Sequence, residues 1–277
     1  MEPTMTFSTI MVCLDLERSN DVCLRIAVDL AAHFNAKLVG IAAASQESPD
    51  YGQQPLAGEL AQQLRSNIAK RLANAEERFR LAVQQYDGQI EWRSAIERPL
   101  SYVAGEARSA DLVVVSANRD GSSAELPGRI DPGDLAMHAG RPVLMVPPEA
   151  DRLVLKSATV AWRDAREARR AVSDALPLLR KVEEVAVVEL IQDEAVRTAA
   201  HRRIDDVISW LDRHGIAAFG RVFHFPEQEE SFEKLWQYGT NFIVAGAFGH
   251  SQLRERVFGG FTDDLLRRSP LCTFLSH

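Results

Sequence analysis

Two series of apolar, β-rich segments, each alternating with helical patterns, follow one another along the chain and limit its fold more than any other feature. The first series reads TIMVCL, a helix over 20–34, KLVGIA, a long helix over 55–85, IEWRSAI, a helix over 100–108, DLVVVS and, after DPGDLAMHAG, PVLMVP. The second reads SATVAW, a helix over 165–180, VAVVELI, a helix over 194–214, AFGRVF, a helix over 231–238, NFIVAG, a helix over 262–268, and LCTFLS. Strands separated by helices imply parallel βαβ units. The paired Pro147 and Pro148, followed by EADRL, read as a linker, so the expected domains are 1–150 and 151–277.

Register tests whether one unit is written twice. Matching the first strands sets Asp15 opposite Arg163, and matching the fourth sets Asp111 opposite Asn241. Pro142 and Cys272 keep the same offset as that second pair, and a fixed offset across two strands and the loop between them is the mark of duplication. The second unit is shorter between its first and fourth strands, and the segment SQESPDYGQQPLAGEL of the first accounts for most of the difference.

At 277 residues, with 46% hydrophobic and 26% charged, the chain suits two globular domains with a core each. A net charge of -7 argues against a nucleic-acid partner, while leaving room for a local basic patch that binds a small anion. The three cysteines, Cys13, Cys23 and Cys272, show neither zinc spacing nor a disulfide framework, which fits a reducing cytoplasm. No basic signal-peptide start occurs and no apolar run approaches the roughly 18 residues of a membrane span, so a soluble cytoplasmic protein is expected, without a membrane partner.

Most helical patterning has a plain structural meaning. In AREARRAVSDALPLL, residues Ala168, Ala171, Val172, Ala175 and Leu179 make one buried stripe with arginines opposite. The charged helix that carries RLANAEERFRLAV reads as a solvated surface helix.

The chemistry is concentrated in GAFGHSQLRERVFGG, 246–260, which leaves the strand NFIVAG and enters a helix opened by Thr262. In an open doubly wound sheet of order 3-2-1-4-5, ligands sit beyond the carboxyl ends of strands one and four. Phosphate asks for convergent backbone N–H groups with no Cβ in the way, and a helix N-terminus adds a favourable dipole. Gly246, Gly249, Gly259 and Gly260 supply the first and the helix near Thr262 the second.

The spacing G-x2-G-x9-G-G in this strand-to-helix context resembles the G-x2-G-x9-G-[ST] signature of the universal stress protein (UspA) family. TIMVCLD and VAWRDAREARRAV both look like that family's opening strand and helix, so the resemblance spans nearly the whole chain as a tandem pair. It implies two α/β, Rossmann-like doubly wound domains, each with a five-stranded parallel sheet, packed through their fifth strands, PVLMVP and LCTFLS, and it admits a further homodimer.

The resemblance also implies a stress-response module that binds an adenine nucleotide, ATP with Mg²⁺, in the C-terminal domain. Carried onto this chain, Gly246, Gly249, Gly259, Gly260, Phe261 and Thr262 fall on the phosphate-and-ribose positions. Ala161, Trp162 and Arg163 end the first strand of that domain, and Ile191 lies near the adenine position. His250 and Ser251 follow the second glycine within reach of phosphate oxygens. The alternative is a nucleotide-free structural or partner-binding stress protein in which Arg163 closes the pocket by pairing with Asp164 or Glu167.

Two departures from the family pattern stand out. Gly260 replaces the hydroxyl residue, a loss of about 1 kcal/mol in hydrogen bonding, and Arg163 replaces the acid at the end of strand one. In the first unit Ser116, Arg119, Arg129 and Ile130 stand opposite the four glycines and Pro132 opposite Thr262, although Asp15 keeps the acid. A degenerate first site is therefore expected. No GxSxG elbow, Walker lysine or HExxH helix occurs, so no catalytic or metal-ligating residue is assigned, and ATP hydrolysis is expected to be slow and incidental at most.

Overall fold

The structure is a computed structural model that describes residues 6–46, 58–118, 129–224, 239–247 and 261–277, with the backbone alone for 261–263. The helix expected over 231–238 lies outside the described residues.

In the first repeat the order is β1 (Thr9–Cys13), α1 (Asp21–Phe34), β2 (Lys37–Ala43), α2 (Gly58–Ala82), β3 (Ile90–Ala95), α3 (Pro99–Glu106), β4 (Leu112–Ser116), α4 (Pro132–His138) and β5 (Val143–Val146). Its sheet runs β3-β2-β1-β4-β5, with β1 parallel to both β2 and β4. The central strands β1, β2 and β4 are apolar almost throughout because helices cover both faces of such a sheet. One close approach shapes this packing: a Cβ on Gly40 of β2 would lie 2.7 Å from the Phe79 ring of α2. The bare backbone there lets the fully buried ring seat itself on the sheet.

The second repeat follows the same plan with β6 (Ser157–Trp162), α5 (Arg166–Asp174), α6 (Leu176–Leu179), β7 (Glu184–Ile191), α7 (Arg197–Arg213), β8 (Ala218–His224), β9 (Phe242–Gly246), α8 (Phe261–Arg268) and β10 (Cys272–Ser276). Its strands run β8-β7-β6-β9-β10, which is again 3-2-1-4-5. All four neighbouring pairs are parallel. By contact density the chain divides into two compact units with the border between Val143 and Leu144.

The repeat register read from the sequence holds in hydrogen bonds. Asp111 accepts from the backbone N–H groups of Ser8 and Thr9 at 2.8 and 2.9 Å, and Asn241 accepts from that of Ser157 at 3.1 Å. Each side chain stands just before the fourth strand of its repeat and pins the start of the first. Without it those leading N–H groups, which come before the pairing with the fourth strand begins, would lack a protein acceptor.

Several helices depart from the expected bounds, each for a local reason. The helix expected over 165–180 is two, α5 and α6, because Pro177 offers no N–H and its ring crowds the carbonyl of Ser173. The stripe Ala168, Ala171, Val172, Ala175 and Leu179 is buried nonetheless. Helix 194–214 begins with a single 3₁₀ turn, Glu194–Val196, in which the Ala195 N–H donates to the Asp193 side chain. DPGDLAMHAG, unassigned in the sequence reading, forms α4. Asp131 accepts from Gly133 and Asp134 N–H, and Pro132 occupies the first turn, where its missing donor costs nothing.

Candidate functional site

At the carboxyl end of the first repeat's sheet, chain-internal contacts link the ends of strands one and four. Asp15 follows β1, and its loop is clasped by the buried Asn20, whose amide accepts from Asp15 N–H at 2.7 Å and donates to Asp15 and Arg18 carbonyls. Arg129, opposite the third loop glycine of the second repeat, brings Nε to 3.6 Å from Asp15 Oδ2, and both side chains are about nine-tenths buried. Glu17 pairs with Arg71 of α2, tying that long helix to the same loop. Asn118 donates to the Ile130 carbonyl at 3.0 Å. Ser116, opposite Gly246, contacts the Cys23 thiol of α1 at 3.0 Å, and burial pushes that thiol up to about 11. Cys13 is pushed higher still by burial and then by Cys23.

The second repeat arranges the same corner differently. Ala161 and Trp162 end β6, with Ala161 in register with Ala245 of β9 and with Val188 of β7. Trp162 is buried and its Nε1–H makes no hydrogen bond among the described residues. Arg163 is exposed and forms no ion pair among the described residues. Asp164 pairs with Arg169, and Glu167 lies 3.5 Å from Arg166 Nε. The expectation that Arg163 pairs with Asp164 or Glu167 is thus corrected: residues of α5 take both carboxylates, because the helix start brings them nearer than the strand end does. Glu167 is 6% exposed, and its Oε2 is buried without a hydrogen bond among the described residues.

Gly246 ends β9 against this helix start. A Cβ there would lie 2.7 Å from Ala168 N and 2.9 Å from Glu167 Cβ, so strand–helix packing already demands glycine, whatever the loop beyond it holds. Ala247 is buried, and its N–H donates to the Ser276 carbonyl at 2.8 Å. The His277 ring bridges Ala247 and Arg166, its Nδ1 2.9 Å from the Ala247 carbonyl and its Nε2 3.3 Å from a guanidinium nitrogen. Ile191 closes β7 and is buried. Gly249, His250, Ser251, Gly259 and Gly260 lie outside the described residues, as does Arg119. Phe261 and Thr262 open α8, described by their backbone.

The structure therefore gathers Ala161, Trp162, Arg163 and Gly246 at one corner of the sheet. It adds Arg166, and it places Glu167, which the sequence reading names only as a pairing partner for Arg163, against Gly246. The signal for the Arg129–Asp15 contact was present in the repeat alignment: the repeat that retains the acid is the one that gains an arginine in the loop. For Glu167 no such signal exists, because burial of a helix-start glutamate has no periodic signature.

The family model for the universal stress protein family matches residues 6–147, more than half of the chain. The chain belongs to the universal stress protein family. A universal stress protein from Archaeoglobus fulgidus superposes with a TM-score of 0.71 at 13% identity, covering 97% of this chain and 95% of that one. A functionally unknown protein from Pseudomonas aeruginosa gives 0.61 at 12% identity, covering 98% and 92%. A universal stress protein in complex with cAMP is 24% identical and covers 51% of this chain and 98% of that one, with a TM-score of 0.35. The first two likenesses show the fold over both repeats of this universal stress protein. No curated protein matches the chain.

Proposed function

We propose that this universal stress protein is an adenine-nucleotide binding module whose site lies in the C-terminal domain, 151–277, and that the N-terminal domain, 1–150, carries a degenerate site. The observation that supports this is the contrast between equivalent corners of the two repeats. Arg129 and Asp15 occupy the first with their own ion pair, while the second leaves Arg163 exposed; Trp162 Nε1 and Glu167 Oε2 there, like Arg129 Nε in the first, are buried without a hydrogen bond among the described residues. Buried polar atoms left open cost free energy in the unliganded state, and a ligand that bonds them recovers it.

In this reading Ala161, Trp162, Arg163 and Ile191 flank the nucleotide, and Gly246, Gly249, His250, Ser251, Gly259, Gly260, Phe261 and Thr262 line its phosphates and ribose. ATP is the favoured nucleotide. Its Mg²⁺ arrives on the phosphates. The role is binding rather than turnover, with hydrolysis slow and incidental. The fifth strands, β5 and β10, pair between domains, since their apolar edges need cover, and the protein acts in the cytoplasm. Among the described residues no helix is long and apolar enough to cross a membrane.

Titration calorimetry of the full chain with ATP and Mg²⁺ tests the reading, with Gly249→Val as the control. Heat from the parent and none from the variant is the expected result. Absence of heat from the parent overturns nucleotide binding and leaves a structural or partner-binding stress protein. Mass analysis of small molecules released on denaturing freshly purified protein gives an independent measure of what the site holds.

A further inference from the structure

Glu167 is the second residue of α5 and stands where β9 ends: a Cβ on Gly246 would lie 2.9 Å from its own Cβ. Its side chain is about nine-tenths buried. One oxygen faces Arg166 at 3.5 Å, and the other accepts no hydrogen bond among the described residues. A buried carboxylate oxygen with no donor is rare in a folded protein and calls for one.

The surrounding charge narrows what that donor can be. Residues 163–170 hold four arginines, Arg163, Arg166, Arg169 and Arg170, against Asp164 and Glu167. All four are exposed, and Asp164 is already taken by Arg169. With the N-terminal end of the α5 dipole added, the corner is net positive and attracts an anion while repelling a bare metal ion. Yet an anion alone gives Glu167 no hydrogen and brings like charge against it. A ligand that is anionic and also carries neutral O–H donors meets both demands.

Resting on the nucleotide reading above, we propose that Glu167 is a ligand-binding residue of the second repeat, accepting a hydrogen bond from a sugar hydroxyl of a bound sugar phosphate. The arginines recognise the phosphate, and Glu167 selects for the sugar. The residue then discriminates against inorganic phosphates, which would find a carboxylate where they need a donor.

The test measures binding of three probes to the full chain with Mg²⁺ present: ATP, 2′,3′-dideoxy-ATP and inorganic tripolyphosphate. The parent is expected to bind ATP about tenfold more tightly than dideoxy-ATP, as a hydrogen bond to a charged acceptor implies, and tripolyphosphate more weakly still. Glu167→Met, of similar volume and lacking an acceptor, is expected to bind ATP and dideoxy-ATP alike. Glu167→Gln, which keeps an acceptor without the charge, retains part of the preference and serves where the methionine variant fails to fold.

Equal binding of ATP and dideoxy-ATP by the parent, or an undiminished preference in the glutamine and methionine variants, overturns the role of Glu167 and leaves nucleotide binding standing. Tripolyphosphate binding as tightly as ATP does the same. Binding of none of the three overturns both.

Discussion

Arg129 and Asp15 form an ion pair across the carboxyl end of the first repeat, 3.6 Å from Nε to Oδ2, with side chains 9% and 11% exposed. In the aligned second repeat their positions belong to Gly259 and Arg163. The first repeat has thus built an ion pair into this corner, where the second has an exposed arginine at the position of the acid and a glycine at that of the cation.

That pair predicts a specific pattern of stability. Arg129→Ala leaves the Asp15 carboxylate buried without its cation and is expected to cost about 3 kcal/mol. The double variant Asp15→Asn, Arg129→Ala removes both charges and is expected to recover part of the loss. Urea midpoints for the parent, the two single variants and the double variant measure the coupling, and strict additivity would contradict it.

Gly246→Ala is expected to destabilise the second repeat by about 1–3 kcal/mol, because the new Cβ meets backbone atoms of Glu167 and Ala168 that cannot swing aside. The origin is packing, so the fall in melting temperature should appear in full with no nucleotide added. Thermal unfolding with and without ATP checks this, and a loss confined to the ATP-containing samples would show that the glycine matters through the ligand instead.

Glu91 provides a pH-dependent contribution in the first repeat. Hydrogen bonds from Arg93, and after it Lys37, hold its carboxyl at about 2 instead of the ordinary 4.5. A carboxyl depressed on folding stabilises fully above its unfolded value, so this contribution is present above about 4.5 and is lost as pH falls toward 2. The side chain is a third exposed, and solvent screening keeps the effect small. The stability gap between the parent and Glu91→Gln should shrink through that window, and a gap constant with pH would refute the assignment.

The thiols should be inert in the native protein. Cys13, Cys23 and Cys272 are all buried, and burial raises Cys23 to about 11. Thiol reagent added at about pH 8 is expected to label none of them until denaturant is present. Rapid labelling of the native chain would show that the α1–β4 contact around Cys23 and Ser116 opens readily.

The duplicated strand-and-helix order was legible in the sequence because buried parallel strands must be short, apolar and separated by helices long enough to cross the sheet. The register was legible too: Asp111 and Asn241 were matched from spacing, and each pins the first strand of its repeat. Helix bounds were less so. Pro177 splits one helix through a steric effect that hydrophobic periodicity does not record, and Asp131 starts another in DPGDLAMHAG, which the sequence reading leaves unassigned.

The site divided along the same line. Sequence alone set the glycine-bearing loop after strand four and the charge exchange between Asp15 and Arg163, since both are differences between aligned repeats. Tertiary structure decided what those residues do. Gly246 answers to the backbone of α5, Asp15 answers to Arg129, and Arg163 stays in solvent while α5 claims Asp164 and Glu167. Burial is the physical reason: whether a charged group keeps a free atom depends on which neighbours the packed chain brings within a few ångströms, and that distance is written in the fold, not in the spacing of residues.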